Sequence, residues 1–352
     1  MSEIGALRKN EGVRVARLHG AGTLQVHDEM RPEPAPDEAL VRVDAVGICG
    51  SDLHWFAEGG IGDAQLGRPL VIGHEIGGTV VDDGPLAGRV VAVDPAIPCR
   101  NCATCARGLG HLCPTVRFAG HGDFDGGLRD VMAWPARLLH PLPPELTAED
   151  GAMLEPLGVA IHALDLGKVR AGSAVAVVGC GPIGLLVLQL ARLGGAGTVV
   201  AVDPLRHRVD AARRLGADVT LSPEEALTPD LSAAGRGFEV DTAFDVSGHD
   251  HAVEIAIGMA RPGGRVVLAG IPDHDRTTFR ASTARRKGLT LLLSRRMGDV
   301  YPRAIDLAVR GLVDLRSIVS HRYPLDRVSE AFDTAAHRRG NKVLVVPSRD
   351  AG

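Results

Sequence analysis

The sequence has little of what membrane-spanning, secreted or nucleic-acid-binding proteins require. Its 352 residues contain no apolar run long enough to span a bilayer. Residues 1–17 carry charges but no apolar core of a signal peptide. The chain has 39 Lys and Arg against 43 Asp and Glu, a formal net charge of −4, which disfavours broad binding to nucleic acid or anionic membranes. These absences predict a cytoplasmic protein with neither a nucleic-acid nor a membrane partner.

Aromatic residues are also scarce, at 3%, but 45% hydrophobic and 23% charged residues are typical of a globular protein. The length exceeds one ordinary core, so two domains are expected. In residues 13–143, short Val-rich segments alternate with Gly, Pro and Asp, a pattern typical of a strand-rich domain. Beyond Gly172, strands alternate with helices, which indicates βαβ units and a doubly wound parallel sheet.

The individual elements follow from apolar runs and their breaks. The predicted strands are 39–46, 78–81, 89–93, 174–178, 198–202, 242–246, 265–269 and 342–346, and the predicted helices are 184–193, 206–215, 301–309 and 325–336. A linking helix is expected to begin at Thr147, with Asp150 completing a capping box. The Pro-Gly-Gly break at 262–264 is expected to be the turn into the strand at 265–269.

A G-x-G-x-x-G motif lies directly after a predicted strand and opens a predicted helix. Its first glycine permits a tight turn, its second lets the backbone approach a pyrophosphate, and its third lets the helix pack close to the sheet. The N-terminus of that helix attracts phosphates. The motif in this context predicts a dinucleotide site whose loop residues are Gly179, Gly181, Pro182, Ile183 and Gly184.

Asp203 ends the next predicted strand, where a carboxylate binds both ribose hydroxyls and repels a 2′-phosphate. It therefore favours NAD over NADP. Arg206 and Arg208 lie close by; they could tolerate a phosphate, which leaves NADP open, and Arg208 belongs to the predicted cofactor site. The alternative is a glycine-rich turn followed by an incidental Asp.

Four cysteines occur within fifteen residues, with the spacing Cys99-x2-Cys102-x2-Cys105-x7-Cys113. Four thiolates close a tetrahedron around Zn²⁺ and leave no open position, so the spacing predicts a structural zinc site. An iron–sulfur loop is one alternative, but the ferredoxin run has x3 where this chain has x7. A zinc-ribbon nucleic-acid module is another, and it would require a basic surface.

Three further segments have ordinary explanations when each is taken alone, since lone cysteines and histidines are often buried core residues. They contain Cys49, His74 with Glu75, and Glu155. Together with the cysteine segment and the dinucleotide motif, in this order, they resemble the zinc-containing medium-chain alcohol dehydrogenase superfamily over nearly the whole chain. The stretches most similar to its sorbitol (polyol) dehydrogenase family are CGSDLHW at 49–55, EPL at 155–157, RMGDVYP at 296–302 and SHRYPL at 320–325.

The resemblance implies an α/β fold with a GroES-like strand-rich catalytic domain and a Rossmann domain that binds NAD. It places the catalytic domain at 1–159, the NAD-binding domain at 160–294, and a C-terminal segment returning to the catalytic domain at 295–352. It also implies two zinc ions per chain, a small-molecule substrate and a homo-oligomer, with a tetramer favoured and a dimer possible.

The resemblance further implies a catalytic zinc held by Cys49, His74 and Glu75, with Glu155 as a fourth ligand or as the partner of a bound water. Trp55, Phe118 and Arg296 would line the substrate pocket.

The implied mechanism answers one electrostatic problem. An alcohol holds its proton too tightly at pH 7 for hydride to leave, and Zn²⁺ lowers that pKa as a Lewis acid. Ser51 is expected to receive the proton and His54 to pass it to solvent. Asp52 is expected to orient His74 or another ligand.

Two departures from the family pattern bear on the substrate. Met297 stands where polyol enzymes usually carry Tyr, and the turn at 82–88 is shorter than usual. An amino-alcohol dehydrogenase of threonine or aminocyclitol type therefore remains an alternative; the threonine enzymes typically have Thr at position 51 and Asp at position 155. A zinc-free or non-catalytic relative is a third possibility, against which the retained Cys49, His74 and Glu75 argue.

Overall fold

The computed structural model describes residues 12–227, 239–272 and 275–347. The described chain divides into two compact units. The first contains residues up to Glu155 and from Val319 onward, and the second is Pro156–Ile318. Among the described residues, no helix combines the length and the apolar character needed to cross a membrane.

The boundaries between the two units, at 155/156 and 318/319, differ from the domain boundaries expected at 159/160 and 294/295. Residues 295–318 stay with the second unit because side chains anchor them there. The Arg303 guanidinium lies 2.8 Å from the Asp165 carboxylate, and the Gln189 side chain exchanges two hydrogen bonds with the backbone of Asp314. The return to the first unit therefore begins at Val319.

The first unit is rich in short strands. They are β1 (Val13–Gly20), β2 (Thr23–Glu29), β3 (Glu38–Gly47), β4 (Gly60–Ile61), β5 (Ala64–Gln65), β6 (Glu75–Val80), β7 (Val90–Val93), β8 (Ala96–Ile97), β9 (Arg117–Phe118), β10 (Val131–Pro135), β11 (Leu139–Pro141), β18 (Val319–Pro324) and β19 (Lys342–Val346). Its helices are α1 (Gly50–Glu58), α2 (Ala103–Ala106) and α10 (Val328–Ala336), and it includes the start of α3 (Ala148–Gly167).

Seven of these strands form the central sheet of the first unit. The order is β11-β7-β6-β3-β19-β18, with β10 also paired to β3. β19 pairs antiparallel with β3, which confirms the prediction that the last strand returns to the first domain. Buried Val, Ile and Leu side chains of β1, β3, β6 and β7 fill its core together with residues of β19 and α10.

α3 begins as its sequence predicts. The Thr147 hydroxyl accepts the backbone N–H of Asp150 at 3.3 Å, and the Asp150 carboxylate accepts the backbone N–H of Thr147 at 2.8 Å. This reciprocal pairing satisfies two N–H groups that have no partner within the helix, so the predicted capping box is confirmed.

The second unit is a parallel sheet with alternating helices. Its strands are β12 (Ala174–Val178), β13 (Thr198–Val202), β14 (Val219–Leu221), β15 (Val240–Asp245), β16 (Ala260–Leu268) and β17 (Thr290–Leu293). Its helices are α4 (Pro182–Leu193), α5 (Arg206–Arg214), α6 (Pro223–Leu227), α7 (Asp250–Met259), α8 (Ala281–Lys287) and α9 (Tyr301–Val309), with the end of α3.

The strand order of this sheet is β14-β13-β12-β15-β16-β17, and every pair is parallel. Numbered within the unit, the order is 3-2-1-4-5-6, which reverses between β12 and β15 and places a ligand-binding crevice at their carboxyl ends. The predicted fold class, a strand-rich domain with a doubly wound parallel-sheet domain, is confirmed.

One local prediction is wrong. The Pro-Gly-Gly break at 262–264 lies inside β16 and does not precede it. The pairing with β15 jumps from Val240–Ala260 to Thr242–Arg265, so the extra residues form an irregularity within the strand. The backbone of Gly263 has φ +73°, a conformation that glycine adopts without strain.

Candidate active site

Cys49 is the residue immediately before α1, and the residues around it hold it in place. The Asp52 carboxylate accepts the backbone N–H of Cys49 at 2.9 Å through one oxygen and that of Gly73 at 3.1 Å through the other. Asp52 Oδ1 also lies 3.4 Å from His74 Nδ1. One buried carboxylate therefore connects the start of α1 to the segment that carries His74, as expected for a residue that orients a ligand.

His74 and Glu75 lie where the chain enters β6. Gly73 has φ +93°, and a Cβ there would overlap the Val46 side chain, so only glycine makes this turn without displacing core atoms. Gly47 lies opposite Glu75 in the β3–β6 pair. A Cβ at position 47 would overlap Glu75 Oε2. The missing side chain at Gly47 leaves the space that the Glu75 carboxylate occupies.

The three predicted ligands converge. The Cys49 Sγ, one His74 ring nitrogen and one Glu75 carboxylate oxygen all lie within 4.8 Å of one another. His74 and Glu75 are buried and Cys49 is half-buried. Burial lowers the pKa of His74, but Asp52 and Cys49 facing it raise the pKa, and the net value is well above the usual one. Since a metal ligand must be deprotonated, cation binding here would release a proton.

Glu155 lies in α3 and is buried, with 4% of its surface exposed. Burial raises its pKa to about 7; the charges of His74 and Lys342 oppose the increase and that of Glu75 adds to it. Glu155 thus belongs to the same electrostatic cluster as the ligands.

Lys342, at the start of β19, is a site residue that the sequence analysis missed. Its Nζ donates to Glu75 Oε1 at 2.7 Å and to the Ile48 carbonyl at 3.0 Å. Both charged side chains are at most 2% exposed. A lysine opening an otherwise apolar strand was the available signal, because a buried ammonium requires a partner. Which carboxylate it pairs with depends on the alignment of β19 with β3.

Ser51 and His54 lie on α1, three residues apart and hence on one helix face. The His54 Nδ1 lies 3.3 Å from the Glu58 carboxylate, and its side chain is 15% exposed. His54 therefore has both a carboxylate neighbour and access to water.

The three residues predicted to line the substrate pocket have different surroundings. The Phe118 ring lies beside the cluster, with its centroid 5.3 Å from that of His74. Trp55 is 1% exposed and packs edge-on against His121, at 5.4 Å between centroids. Arg296 belongs to the second unit, where its backbone is left-handed at φ +56°.

The residue after Arg296 is fixed by packing. Met297 is 7% exposed, and a Cβ added to Gly158 would overlap its Sδ. Within the second unit, the glycine in α3 therefore makes room for Met297. The position where polyol enzymes usually carry Tyr is filled by a buried thioether.

The four cysteines of the predicted structural site also converge, with all sulfurs within 4.8 Å of one another. Cys99 Sγ and Cys105 Sγ are 4.0 Å apart, close to the roughly 3.8 Å edge of a tetrahedron with Zn–S bonds of about 2.3 Å. The backbone N–H of Cys99 donates to Cys113 Sγ at 3.4 Å and lowers the pKa of that thiol to about 6. The backbone thus stabilises the thiolate form of Cys113, whereas burial raises the pKa of the Cys105 thiol to about 12.

The glycine-rich loop lies at the carboxyl end of β12. Gly179 has φ +99°, and a Cβ on Gly184 would overlap the Gly179 carbonyl oxygen, so both positions require glycine. Gly181 is the N-cap of α4, with Pro182 and Ile183 as its first residues. α4 therefore directs its free N–H groups at the loop, as a phosphate site requires.

Asp203 follows β13 and is 4% exposed. Its carboxylate accepts the backbone N–H groups of Cys180 and Leu205, each at 2.8 Å. Arg208 Nη1 lies 3.9 Å from the same carboxylate. The acid is thus held rigidly at the edge of the loop, with a guanidinium beside it.

Two family profiles match the chain. The one described as "Alcohol dehydrogenase GroES-like domain" matches residues 35–144, and the one described as "Zinc-binding dehydrogenase" matches residues 182–310. Curated relatives include the sorbitol dehydrogenase of Bombyx mori, 33% identical over 94% of this chain and 97% of its own. The sorbitol dehydrogenase of Bacillus subtilis is 29% identical over 96% and 98%.

The chain is also similar to solved structures of dehydrogenases. L-idonate 5-dehydrogenase from Escherichia coli is 28% identical with a TM-score of 0.85, over 95% of this chain and 98% of that one. 2R,3R-butanediol dehydrogenase from Bacillus subtilis is 28% identical with a TM-score of 0.84, over 96% and 100%. A zinc-binding dehydrogenase from Sinorhizobium meliloti bound to NADP is 31% identical with a TM-score of 0.87, over 96% and 100%.

Proposed function

The chain belongs to the zinc-containing medium-chain alcohol dehydrogenase superfamily, and on this premise we propose that it oxidises a secondary alcohol of a polyol or sugar-like substrate with NAD. One observation carries the proposal: Cys49, His74 and Glu75 bring sulfur, nitrogen and oxygen ligand atoms within 4.8 Å of one another at a buried site. A mixed donor set of three protein ligands is the composition of a catalytic zinc site with an open position.

Each of the two cofactors would supply one part of the chemistry. A zinc ion held by Cys49, His74 and Glu75 supplies a Lewis acid that lowers the pKa of a hydroxyl group. NAD supplies the hydride acceptor. What remains for the protein is to orient the ligands, remove the hydroxyl proton and select the substrate.

Asp52 and Lys342 serve the first task as positioning residues, because they contact His74 and Glu75 respectively. Ser51 serves the second: its hydroxyl oxygen would accept the substrate proton while it donates its own proton toward His54, and His54 would release a proton to water. The partial exposure of the His54 side chain and its carboxylate neighbour Glu58 suit a relay to solvent.

Arg296 serves substrate selection. A guanidinium offers five donors in a fixed fork, which several hydroxyl groups beyond the reacting one can occupy. Butanediol and sorbitol, named for two relatives, both carry a second hydroxyl next to the reacting one.

The substrate test uses NADH absorbance with C4 to C6 polyols, cyclitols, threonine, 2-propanol and 2-butanol. Vicinal diols and polyols are expected to exceed matched simple alcohols in kcat/KM. Arg296→Ala should lower kcat/KM for the polyols and hardly change kcat/KM for the simple alcohols, because only the polyols lose hydrogen bonds that orient the reacting carbon. Arg295→Ala, its neighbour in sequence, is the control. Equal kcat/KM for 2-butanol and the best polyol would refute the polyol assignment, and a preference for threonine would favour the amino-alcohol alternative.

The rigid Asp203 carboxylate supports NAD as the cofactor, although the Sinorhizobium meliloti neighbour binds NADP. We expect a much larger kcat/KM with NAD than with NADP. Asp203→Ser should lower kcat/KM for NAD and also the ratio of kcat/KM between NAD and NADP, because the carboxylate both binds the ribose and repels a 2′-phosphate. Arg208→Ala tests whether the adjacent guanidinium offsets that repulsion. Equal kcat/KM for the two cofactors in the unaltered enzyme would show that it does.

Two ligand sets support two zinc ions per chain. Elemental analysis of fresh protein is expected to give close to two, and a chelator should remove the catalytic ion first because that site retains an open position. Cys102→Ser should lower the zinc content by one ion per chain. It should also sharply lower the free energy of unfolding, since a closed four-cysteine site contributes folding energy. One zinc or fewer in fresh protein, or iron in its place, would contradict the two-site assignment.

An exposed sheet edge supports a homo-oligomer. Within the described residues, β17 pairs only with β16, and Leu293 at its end is 82% exposed. An unpaired edge with apolar side chains is a template for pairing with another chain. We propose a dimer through β17 that doubles to a tetramer, which light scattering of the purified chain would distinguish from a monomer.

A further inference from the structure

The face of α1 that carries Ser51 and His54 continues to Glu58, the last residue of the helix. Glu58 comes four positions after His54 and seven after Ser51, so the three side chains lie in one row along the helix. The His54 side chain is 15% exposed and the Glu58 side chain 54%. The row that begins beside the ligand Cys49 therefore reaches solvent at Glu58.

We propose that Glu58 is a positioning residue for the proton relay: it holds the His54 ring in the tautomer that carries its hydrogen on Nδ1, so that Nε2 takes up and releases the transferred proton. The inference rests on the proposed function, in which Ser51 donates a proton toward His54. Glu58 lies beyond the CGSDLHW stretch at 49–55 that resembles the polyol dehydrogenases, so the resemblance assigns it no role.

The hydrogen bond between the two side chains decides the tautomer. His54 Nδ1 lies 3.3 Å from Glu58 Oε1. An exposed carboxyl group is ionised at neutral pH, and a carboxylate only accepts hydrogen bonds, whereas a neutral imidazole has one donor and one acceptor nitrogen. Nδ1 must therefore be the donor and Nε2 the acceptor. Because the protonated ring carries a hydrogen on both nitrogens, Nδ1 keeps its hydrogen in either charge state.

This tautomer gives each proton of the relay a place. Ser51 Oγ takes the substrate proton while its own hydrogen passes to His54 Nε2, and the ring becomes an imidazolium. The negative charge of Glu58 stabilises that cation. Nε2 then releases its proton to water, which restores the starting tautomer, so one proton reaches solvent for each hydride that the substrate loses. In the opposite tautomer Nε2 already carries a hydrogen and cannot accept one from Ser51.

The ordinary explanation for a histidine and an acid four positions apart is that the pair stabilises the helix. The position of Glu58 argues against it, because an acid at the carboxyl end of a helix lies at the negative end of the helix dipole. The last turn of α1 has no basic residue that would offset this. The carboxylate is thus unfavourably placed for the helix and well placed for the His54 ring.

A second pair with the same spacing gives a matched control. His337 Nδ1 lies 2.9 Å from the Asp333 carboxylate, four positions earlier in the chain. The His337 side chain is 62% exposed, and α10, which carries Asp333, holds no predicted site residue. Asp333→Asn therefore removes the charge of a histidine–acid pair without altering the relay.

The first test measures the tautomer by nuclear magnetic resonance of zinc-loaded protein with ¹⁵N-labelled histidines. Imidazole ¹⁵N shifts show which nitrogen carries the hydrogen, and the His54 signals are those absent from His54→Gln. The unaltered chain should show His54 with its hydrogen on Nδ1, and Glu58→Met, which has no carboxylate, should shift the population toward Nε2. Asp333→Asn should leave the His54 signals unchanged. A His54 ring that carries its hydrogen on Nε2 in the unaltered chain, or on Nδ1 in Glu58→Met, would overturn the proposal.

The second test measures turnover. Glu58→Met should lower kcat with the best polyol by about 10-fold, less than the roughly 10²-fold minimum for a general acid–base group, because the ring itself remains. The solvent deuterium isotope effect on kcat should rise, since proton transfer becomes slower relative to hydride transfer, while the zinc content stays unchanged. Asp333→Asn should alter none of these quantities.

The double variant His54→Gln/Glu58→Met shows whether Glu58 acts through His54. If it does, the double variant should be no slower than His54→Gln alone, because the second substitution has nothing left to disturb. Two losses that multiply, or normal turnover of Glu58→Met beside an impaired Ser51→Ala, would refute the role of Glu58 and leave the proposed function intact. Absence of NAD-dependent oxidation in the unaltered chain would refute the proposed function instead, and the tautomer measurement would still decide whether Glu58 positions His54.

Discussion

Ser51→Ala is expected to lower kcat by about 10²–10⁴-fold, the usual contribution of a general acid–base group, while the zinc content stays unchanged. The hydroxyl is the proton acceptor in the proposed reaction, and Ser51 lies outside the ligand set of Cys49, His74 and Glu75. Steady-state NADH formation with the best polyol and elemental analysis of the same sample measure the two quantities together.

Ser51→Thr is the matched control because it keeps a hydroxyl at the same position, and it should retain far more activity than the alanine variant. His54→Gln should cost less than Ser51→Ala, with the loss greatest at low pH, where the proton is hardest to release to water. Near-normal turnover of Ser51→Ala with full zinc would contradict the relay and transfer the role to a water molecule beside Glu155.

Lys342→Met is expected to cost about 3–5 kcal/mol of unfolding free energy in protein stripped of its catalytic zinc. The substitution leaves the Glu75 carboxylate buried without its counter-charge, and breaking one partner of a buried ion pair typically has this cost. A zinc ion provides another positive partner for Glu75, so the cost should be smaller in zinc-loaded protein. Urea unfolding of both forms measures the difference.

The double variant Lys342→Met/Glu75→Gln separates charge from packing. If the uncompensated carboxylate causes the loss of unfolding free energy, removing its charge as well should restore most of that free energy. Replacing both members of a buried ion pair often leaves the stability nearly unchanged. If the double variant is as unstable as Lys342→Met, the lysine acts through packing and the charge argument fails.

Local features of the sequence predicted most of the second unit. β12, β13 and α9 have the predicted bounds, as does β19 of the first unit. The three strands were recognisable because a buried strand is a continuous apolar run flanked by turn residues. The two-residue strands β4, β5, β8 and β9 carry too few residues for such a pattern and were not predicted. The irregularity inside β16 was mistaken for a turn, since Pro-Gly-Gly marks a break without showing on which side the strand resumes.

The sequence by itself determined the chemistry of the site: which side chains are candidate ligands, that four cysteines form one group, and that an acid follows the glycine-rich loop. The cysteine group and the acid depend on residues close together in the chain, whereas the candidate ligands follow from the resemblance of separate short segments, in their order, to a family pattern. Only the tertiary structure decided what holds them. Lys342 pairs with Glu75 across 267 positions, and Gly47 leaves space for that carboxylate because β3 and β6 pair in one register. Counter-charges and steric space depend on strand register, which is a property of the assembled sheet.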